Sequence, residues 1–273
     1  MSEGTQRARL WAVLAPPTVW LVALLVVPLV VLSAFSFRAG MAGAFFGDWT
    51  FTLDNYRTLA GSPSFLELLG VSVGIAFVVA VAATLLAYPV AYFLVFRVRA
   101  RAGAYVVLLL IPFWISYLLR VMAWKVILGS SDALSPFLYT RTAVVITLIY
   151  VWTPFVALPI MATLYRIDRS LLEAAENLGA TPSQRFWRVT VPLSLPGVLA
   201  GAVMVFIPTV GEYVTPLLVG GSTGAMYGNL IQDFFGRSAN WPLGSALAVV
   251  MLVGTLVLVG ATSRISRVER FIR

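Results

Sequence analysis

Six long apolar runs decide most of what this chain can fold into. They lie near Trp11–Ser36, Leu68–Val95, Gly103–Ala123, Ala143–Tyr165, Gly197–Val219 and Leu243–Ala261. Each is close to or above the roughly 20 apolar residues a helix needs to cross a hydrocarbon core. Lipid offers no partners for backbone amides and carbonyls, so a helix, which pairs them internally, is the expected form. The runs are too long for barrel strands. The composition agrees: 60% of residues are hydrophobic and 11% charged, where a soluble domain is about a quarter charged. No loop between the runs is large enough for a soluble domain. The expectation is an all-α integral membrane protein with six transmembrane helices in a single domain, residues 1–273.

The formal charge of +8 is distributed by side. Arg7 and Arg9, Arg97 to Arg101, Arg166, Arg169, Arg185, Arg188 and the Arg264–Arg273 group fall on one side of the spans. Arg38, Arg57, Lys125, Arg141 and Arg237 fall on the other, and Arg120 alone falls inside a span. The denser side is cytoplasmic by the positive-inside rule, which puts both termini in the cytoplasm and makes the protein multi-pass. Ala42-Gly43-Ala44 has the form of a signal cleavage site, but the first run is longer than a typical h-region and is expected to stay as a span.

The sequence has no cysteine and no histidine, which removes disulfides, thiol catalysis and the commonest metal ligand. No metal site or catalytic constellation is expected. Lys125, the sole lysine, stands in "RVMAWKVIL" without the glycines of a phosphate-binding loop, so the chain has no ATPase motif of its own.

One polar stretch interrupts the greasy sequence on the cytoplasmic side, in the segment 166–195. Ser170 and Glu173 have the spacing of a capping box, predicting a helix over Leu171–Leu178 that stops at Gly179. Thr181, Pro182 and Gln184 repeat the device and predict a second short helix to about Thr190, ended by Pro192. Leu171, Ala174, Ala175 and Leu178 share a face, while Glu173 points elsewhere. A helix of about two turns is not stable alone in water, so it must dock. Two arrangements satisfy the pattern: a docking lever for another protein, or an amphipathic loop that seals the floor of the bundle.

Glu173-Ala174-Ala175, then Gly179, then Val189-x-Val191-Pro192 resembles the EAA motif of ABC-importer permeases, with Val189 where the family has Ile and Val191 where it has Leu. The stretches "LLLIPFWISYLLRVMAWKVILG", "GEYVTPLLVGG" and "GNLIQDFFGRSANWPLGSAL" resemble permeases of spermidine/putrescine-type importers, on the first-permease side of the usual pair. The resemblance covers most of the chain from Trp11 onward. It implies a type I importer permease fold in the inner membrane of a bacterium. The implied partners are a cytoplasmic ATPase pair, which binds ATP and Mg²⁺ and grips the Ser170–Gly179 coupling helix, a second homologous permease, and an extracytoplasmic substrate-binding protein. The chain itself would bind no cofactor and act as a transport subunit, not an enzyme. The implied cargo is a polyamine or similar small cation, with opines and amino-acid-like solutes as the alternative. An ion-coupled secondary transporter fits less well, because no matching pair of Gly/Pro-interrupted spans appears.

For the solute path, Arg120 lies about 17 residues, or about 26 Å, from the inner end of its span, and Glu212 about 15 residues, or about 23 Å. Two roles remain open for them: a mutual ion pair that holds two helices together, or a carboxylate in the cation path. Trp114, Tyr117, Trp152, Thr209 and Tyr213 are the neighbouring candidates, since aromatic faces and carboxylates suit alkylammonium groups.

Overall fold

In the computed structural model, residues 3–39, 49–98 and 102–271 are described. Ala42–Ala44, Arg99, Arg101 and Arg273 lie outside the described residues. Among the described residues eleven α-helices follow in order: α1 (Glu3–Ser36), α2 (Asp54–Gly61), α3 (Pro63–Phe93), α4 (Ala102–Leu110), α5 (Tyr117–Gly129), α6 (Arg141–Leu164), α7 (Arg169–Asn177), α8 (Pro182–Arg185), α9 (Val191–Val210), α10 (Tyr227–Phe235) and α11 (Trp241–Phe271). Among the described residues the only β-type pairing is a lone bridge between Arg38 and Phe51.

Among the described residues five stretches are long and apolar enough to cross a membrane: Ala12–Ser36, Pro63–Val98, Arg141–Leu164, Pro182–Val210 and Trp241–Ala261. A sixth is broken, Gly103–Trp114 and Tyr117–Gly129 meeting at 84°. Two expectations are corrected here. The run Gly103–Ala123 is not a straight helix. Pro112 and a 3₁₀ turn over Ile111–Trp114 end α4, Ile115 is extended, and α5 starts anew. Proline removes an amide and disfavours the helical conformation at the residue before it, which makes a re-start cheaper than continuation. Nor does the fifth span end at Val219. Its helix stops at Val210, and Pro216–Gly220 forms a separate π-helical turn.

The chain packs as two compact units. One comprises the chain up to Pro63 together with Ile231–Gly254. In it α1 leaves Ala12–Val31 exposed, and the turn after α1 is tied down by polar bonds. Ser36 Oγ pairs with the Tyr56 hydroxyl at 2.6 Å, and Asn55 donates to the carbonyls of Ser36 and Arg38.

The other unit comprises Ser64–Leu230 with Thr255 onward, and it carries the candidate sites. Its core runs along α3, α6 and α9. On α3 the buried residues Val79, Ala83, Ala87 and Ala91 recur every fourth position, the spacing of one helical face. Small residues there let neighbouring helices come close. Gly197 and Gly201 on α9 do the same against α6. A Cβ at Gly197 would stand 2.5 Å from the Pro159 carbonyl, and one at Gly201 3.1 Å from the Val156 carbonyl. This small-xxx-small pair drives close backbone contact between helices in lipid, where apolar burial contributes little. The outer faces stay apolar and open, with Phe77, Leu85 and Leu86 more than half exposed, as a lipid-facing surface requires.

Candidate functional site

The polar segment 166–195 forms one capped short helix, α7, and a second capped helix start at Thr181, with departures from the expectation at two of the ends. The N-cap of α7 is Asp168, whose carboxylate accepts from the Ser170 amide at 3.0 Å. The Ser170–Glu173 box does not form among the described contacts. Asp is as strong a cap as Ser, and its charge also meets the positive end of the helix, so α7 starts at Arg169. The backbone bond from Ser170 holds the Asp168 carboxyl below its ordinary range.

At the other end the expectation for Gly179 holds. Its φ is +82°, its amide donates to the Glu176 carbonyl at 2.8 Å, and Ala180 donates to the Ala175 carbonyl at 3.0 Å. These two bonds define a Schellman motif, which needs the left-handed conformation that glycine adopts without strain. Thr181 and Gln184 then form the complete capping box around Pro182.

The second correction concerns Pro192, which does not end the second helix. From Phe186 to Thr190 the chain makes a π-helical turn and runs straight into α9, with Pro192 in its first turn. A proline ring in a continuing α-helix would clash with the carbonyl four residues back, here Arg188. The wider π turn lies at that point and lets the helix pass through. As a result α8, the π turn and α9 form one continuous rod, Pro182–Val210.

The mini-helices are braced to each other and to the bundle. Arg185 pairs with Glu176 of α7. Phe186 packs edge-on against Tyr88 and Tyr92 of α3, at ring-centroid distances of 5.9 and 5.4 Å. Tyr88 completes the joint by a 2.9 Å hydroxyl contact with Ser194 of α9. The outer face of α7 remains open: Leu171 is 48% and Leu178 88% exposed, Glu173 and Ala174 are exposed, and Ala175 is half-buried. These two leucines are therefore not covered by the described residues of this chain.

Toward the other end of the same unit, the structure gathers part of the expected solute-path set. Glu212 is not inside a helix. It stands in the turn after α9, where its Oε1 accepts from the amides of Val214 at 2.9 Å and Thr215 at 3.2 Å. The Thr215 hydroxyl meets the Tyr117 hydroxyl of α5 at 2.5 Å. Asn229 of α10 donates to the Tyr213 carbonyl at 2.8 Å, and Gly228 lies so close that a Cβ there would stand 2.5 Å from the Gly211 carbonyl. The turn carrying Glu212 is thus clamped between the start of α5 and the start of α10, leaving Tyr213 exposed.

Arg120 is buried, with its guanidinium over the rings of Phe113 and Tyr117 at 5.3 and 5.8 Å. No ion pair joins it to Glu212 among the described residues. Three other candidates stand apart. Trp114 is 82% exposed at the break. Thr209 is buried and donates back to the Val205 carbonyl at 2.7 Å, an ordinary helix bond. Trp152 packs on Phe155 in the core, its Nε1 buried without an acceptor. Beside the break lies an apolar groove of about 530 Å³ lined by Leu86, Leu108, Pro112, Trp124, Tyr150 and Thr153, among others.

Sequence reasoning missed Phe113, Phe155 and Asn229, and it missed the Gly197/Gly201 seam. The seam had a signal, the G-x-x-x-G spacing. Asn229 follows a glycine at a helix start, and the two phenylalanines read as ordinary core.

A bundle of apolar helices with a short capped helix between two of its spans fits the importer permease fold that the sequence resembles, and the comparisons show the family and the fold. The chain belongs to the family of binding-protein-dependent transport system inner membrane components, which matches it over residues 10–268. It is 32% identical over 255 residues to the spermidine/putrescine transport system permease protein PotB of Escherichia coli (strain K12), covering 88% of this chain and 92% of that one. Against the protein of the same name in Haemophilus influenzae it is 32% identical over 254 residues, with 88% of each covered. The fold is similar to that in the crystal structure of a bacterial ABC transporter involved in the import of the acidic polysaccharide alginate. There the TM-score is 0.73, with 18% identity and 96% of both chains covered. The chain is therefore an ABC-importer permease of the inner membrane.

Proposed function

We propose that this permease imports a small amine-bearing solute, of the polyamine kind that its relatives' names carry, driven by ATP hydrolysis on a separate cytoplasmic ATPase pair. Opine-like and amino-acid-like solutes share the amine and form the alternative. A second homologous permease completes the pathway, an extracytoplasmic binding protein delivers the solute, and ATP with Mg²⁺ is bound by the ATPase. Both termini lie in the cytoplasm, on the side of α7.

The observation that carries this reading is the open face of α7. Leu171, Ala174 and Leu178 are exposed on a helix too short to persist by propensity alone, and small side chains there permit close approach by a partner's backbone. Closure of the ATPase pair would move α7. The Glu176–Arg185 pair and the Thr181 box tie α7 to the rod Pro182–Val210, so that the two move together, and the Phe186 joint ties that rod to α3. The far end of that rod carries the Glu212 turn, so motion of the lever changes access at the turn. In alternating access, such rocking of a bundle around a fixed site opens it to one side at a time.

The test is reconstitution with the ATPase, the second permease and the binding protein in proteoliposomes. ATP-dependent uptake of labelled spermidine or putrescine is expected, together with crosslinking of a cysteine placed at Ala175 to the ATPase during turnover. Uptake that proceeds while position 175 crosslinks only within its own chain would overturn the reading.

A further inference from the structure

We propose that the start of α5, at the break in its span, is a binding subsite for a carboxylate that arrives from outside this chain. Arg120 is only 8% exposed. Its Nε–H is buried without an acceptor, and no ion pair among the described residues includes it. Among the described residues its guanidinium lies over the ring faces of Phe113 and Tyr117. Helical side chains lean toward the N-terminus. Tyr117 is the first residue of α5 and Phe113 belongs to the turn before it, so the guanidinium lies back over the helix start.

That place is already positive. The first amides of a helix have no intrahelical acceptor, and the dipole adds partial positive charge. Ser116, at the cap position, makes no side-chain bond to them. A buried guanidinium and uncapped amides thus converge, an arrangement that disfavours the bare state and favours an anion. Glu212 forms no ion pair with Arg120 among the described residues, and its Oε1 accepts from the amides of Val214 and Thr215. A planar guanidinium edge beside backbone amides matches a carboxylate better than a spherical anion. The break offers a way in: Trp114 and Ile115 are 82% and 47% exposed.

Two sources carry this chemistry. One is the transported solute, which would then bear a carboxylate as well as its amine. The other is an acidic side chain of the second permease. The proposal rests on the importer reading above, and the experiment separates the two. The full assembly carries wild-type chain, Arg120→Gln or Arg120→Lys. Two quantities are read: ATP-driven uptake of labelled ornithine and of labelled spermidine, and recovery of the second permease on the tagged chain.

If the solute supplies the carboxylate, Arg120→Gln lowers ornithine uptake by about ten-fold or more, leaves spermidine uptake within about two-fold, and Arg120→Lys is intermediate. If the second permease supplies it, Arg120→Gln lowers recovery of that subunit, Arg120→Lys restores part of it, and the ratio of the two uptakes is unchanged. Uptake and recovery both indifferent to residue 120 overturn this inference and leave the importer reading standing. An assembly that transports neither solute and holds its partner regardless of residue 120 overturns both. Arg120→Gln and Glu212→Gln giving equal defects, with the double variant no worse, would assign the counter-charge to this chain and likewise refute the proposal.

Discussion

Gly179 is the position where a backbone argument can be tested free of packing. A side chain added there meets nothing within 4 Å, so Gly179→Val changes conformation alone. Its φ of +82° costs a residue with a Cβ about 1–2 kcal/mol, and a β-branched residue is a true outlier there. Relaxing φ instead opens the Schellman bonds of Gly179 and Ala180, each worth about 1 kcal/mol. Either way about 2 kcal/mol is lost from a helix of nine residues that has little stability of its own. Each 1.4 kcal/mol is about ten-fold in a population, and a partner that binds only ordered α7 sees its apparent affinity reduced in proportion. The expected result is a roughly 10–30-fold weaker apparent affinity of the permease for its ATPase. The assay is ATPase binding to permease in nanodiscs, with substrate-stimulated ATP hydrolysis as the second readout and membrane insertion unchanged. Gly179→Asn, which tolerates the left-handed region, should stay near wild type. Wild-type affinity in Gly179→Val, or an equal loss in Gly179→Asn, would refute the reasoning.

Two further changes probe the bundle. Gly197→Val drives a side chain into Thr163 and the Pro159 carbonyl of α6. Overpacking of about 1–3 kcal/mol or more should appear as a lower melting temperature and a lower yield in detergent, and an unchanged melting curve would mean that α9 is not seated as described. Glu212→Gln keeps an oxygen that can accept from Val214 and Thr215 and removes only the charge. Assembly should be retained and amine uptake lowered, whereas poorer assembly with unchanged uptake kinetics would make Glu212 structural.

How much was legible in advance follows from how local each feature is. Spans that depend on length and hydropathy alone, such as Arg141–Leu164, lie within two residues of their expected ends. The Gly179 cap and the Thr181 box were readable because their chemistry closes within a few residues. Asp168 displaced Ser170 because two good caps stood two residues apart, and only the backbone at the preceding turn chooses between them. Pro112 and Pro192 show the limit more sharply. Both are prolines beside apolar runs, yet one accompanies a break of 84° and the other sits in a helix that continues through a π turn. A proline removes an amide wherever it stands, and the surrounding packing decides whether the chain bends or widens.

The sequence by itself determined that the chain is helical and membrane-embedded, and that it carries a capped polar lever on one face. Apolar length and capping chemistry act over a turn or a span, without reference to distant residues. The tertiary structure alone decided that Arg120 and Glu212 form no ion pair among the described residues, and that Arg185 of the rod continuous with α9 pairs with Glu176 of α7. Which buried charge meets which oxygen depends on where helices end and how closely glycines let them approach, and those quantities are set by packing between residues far apart in the chain.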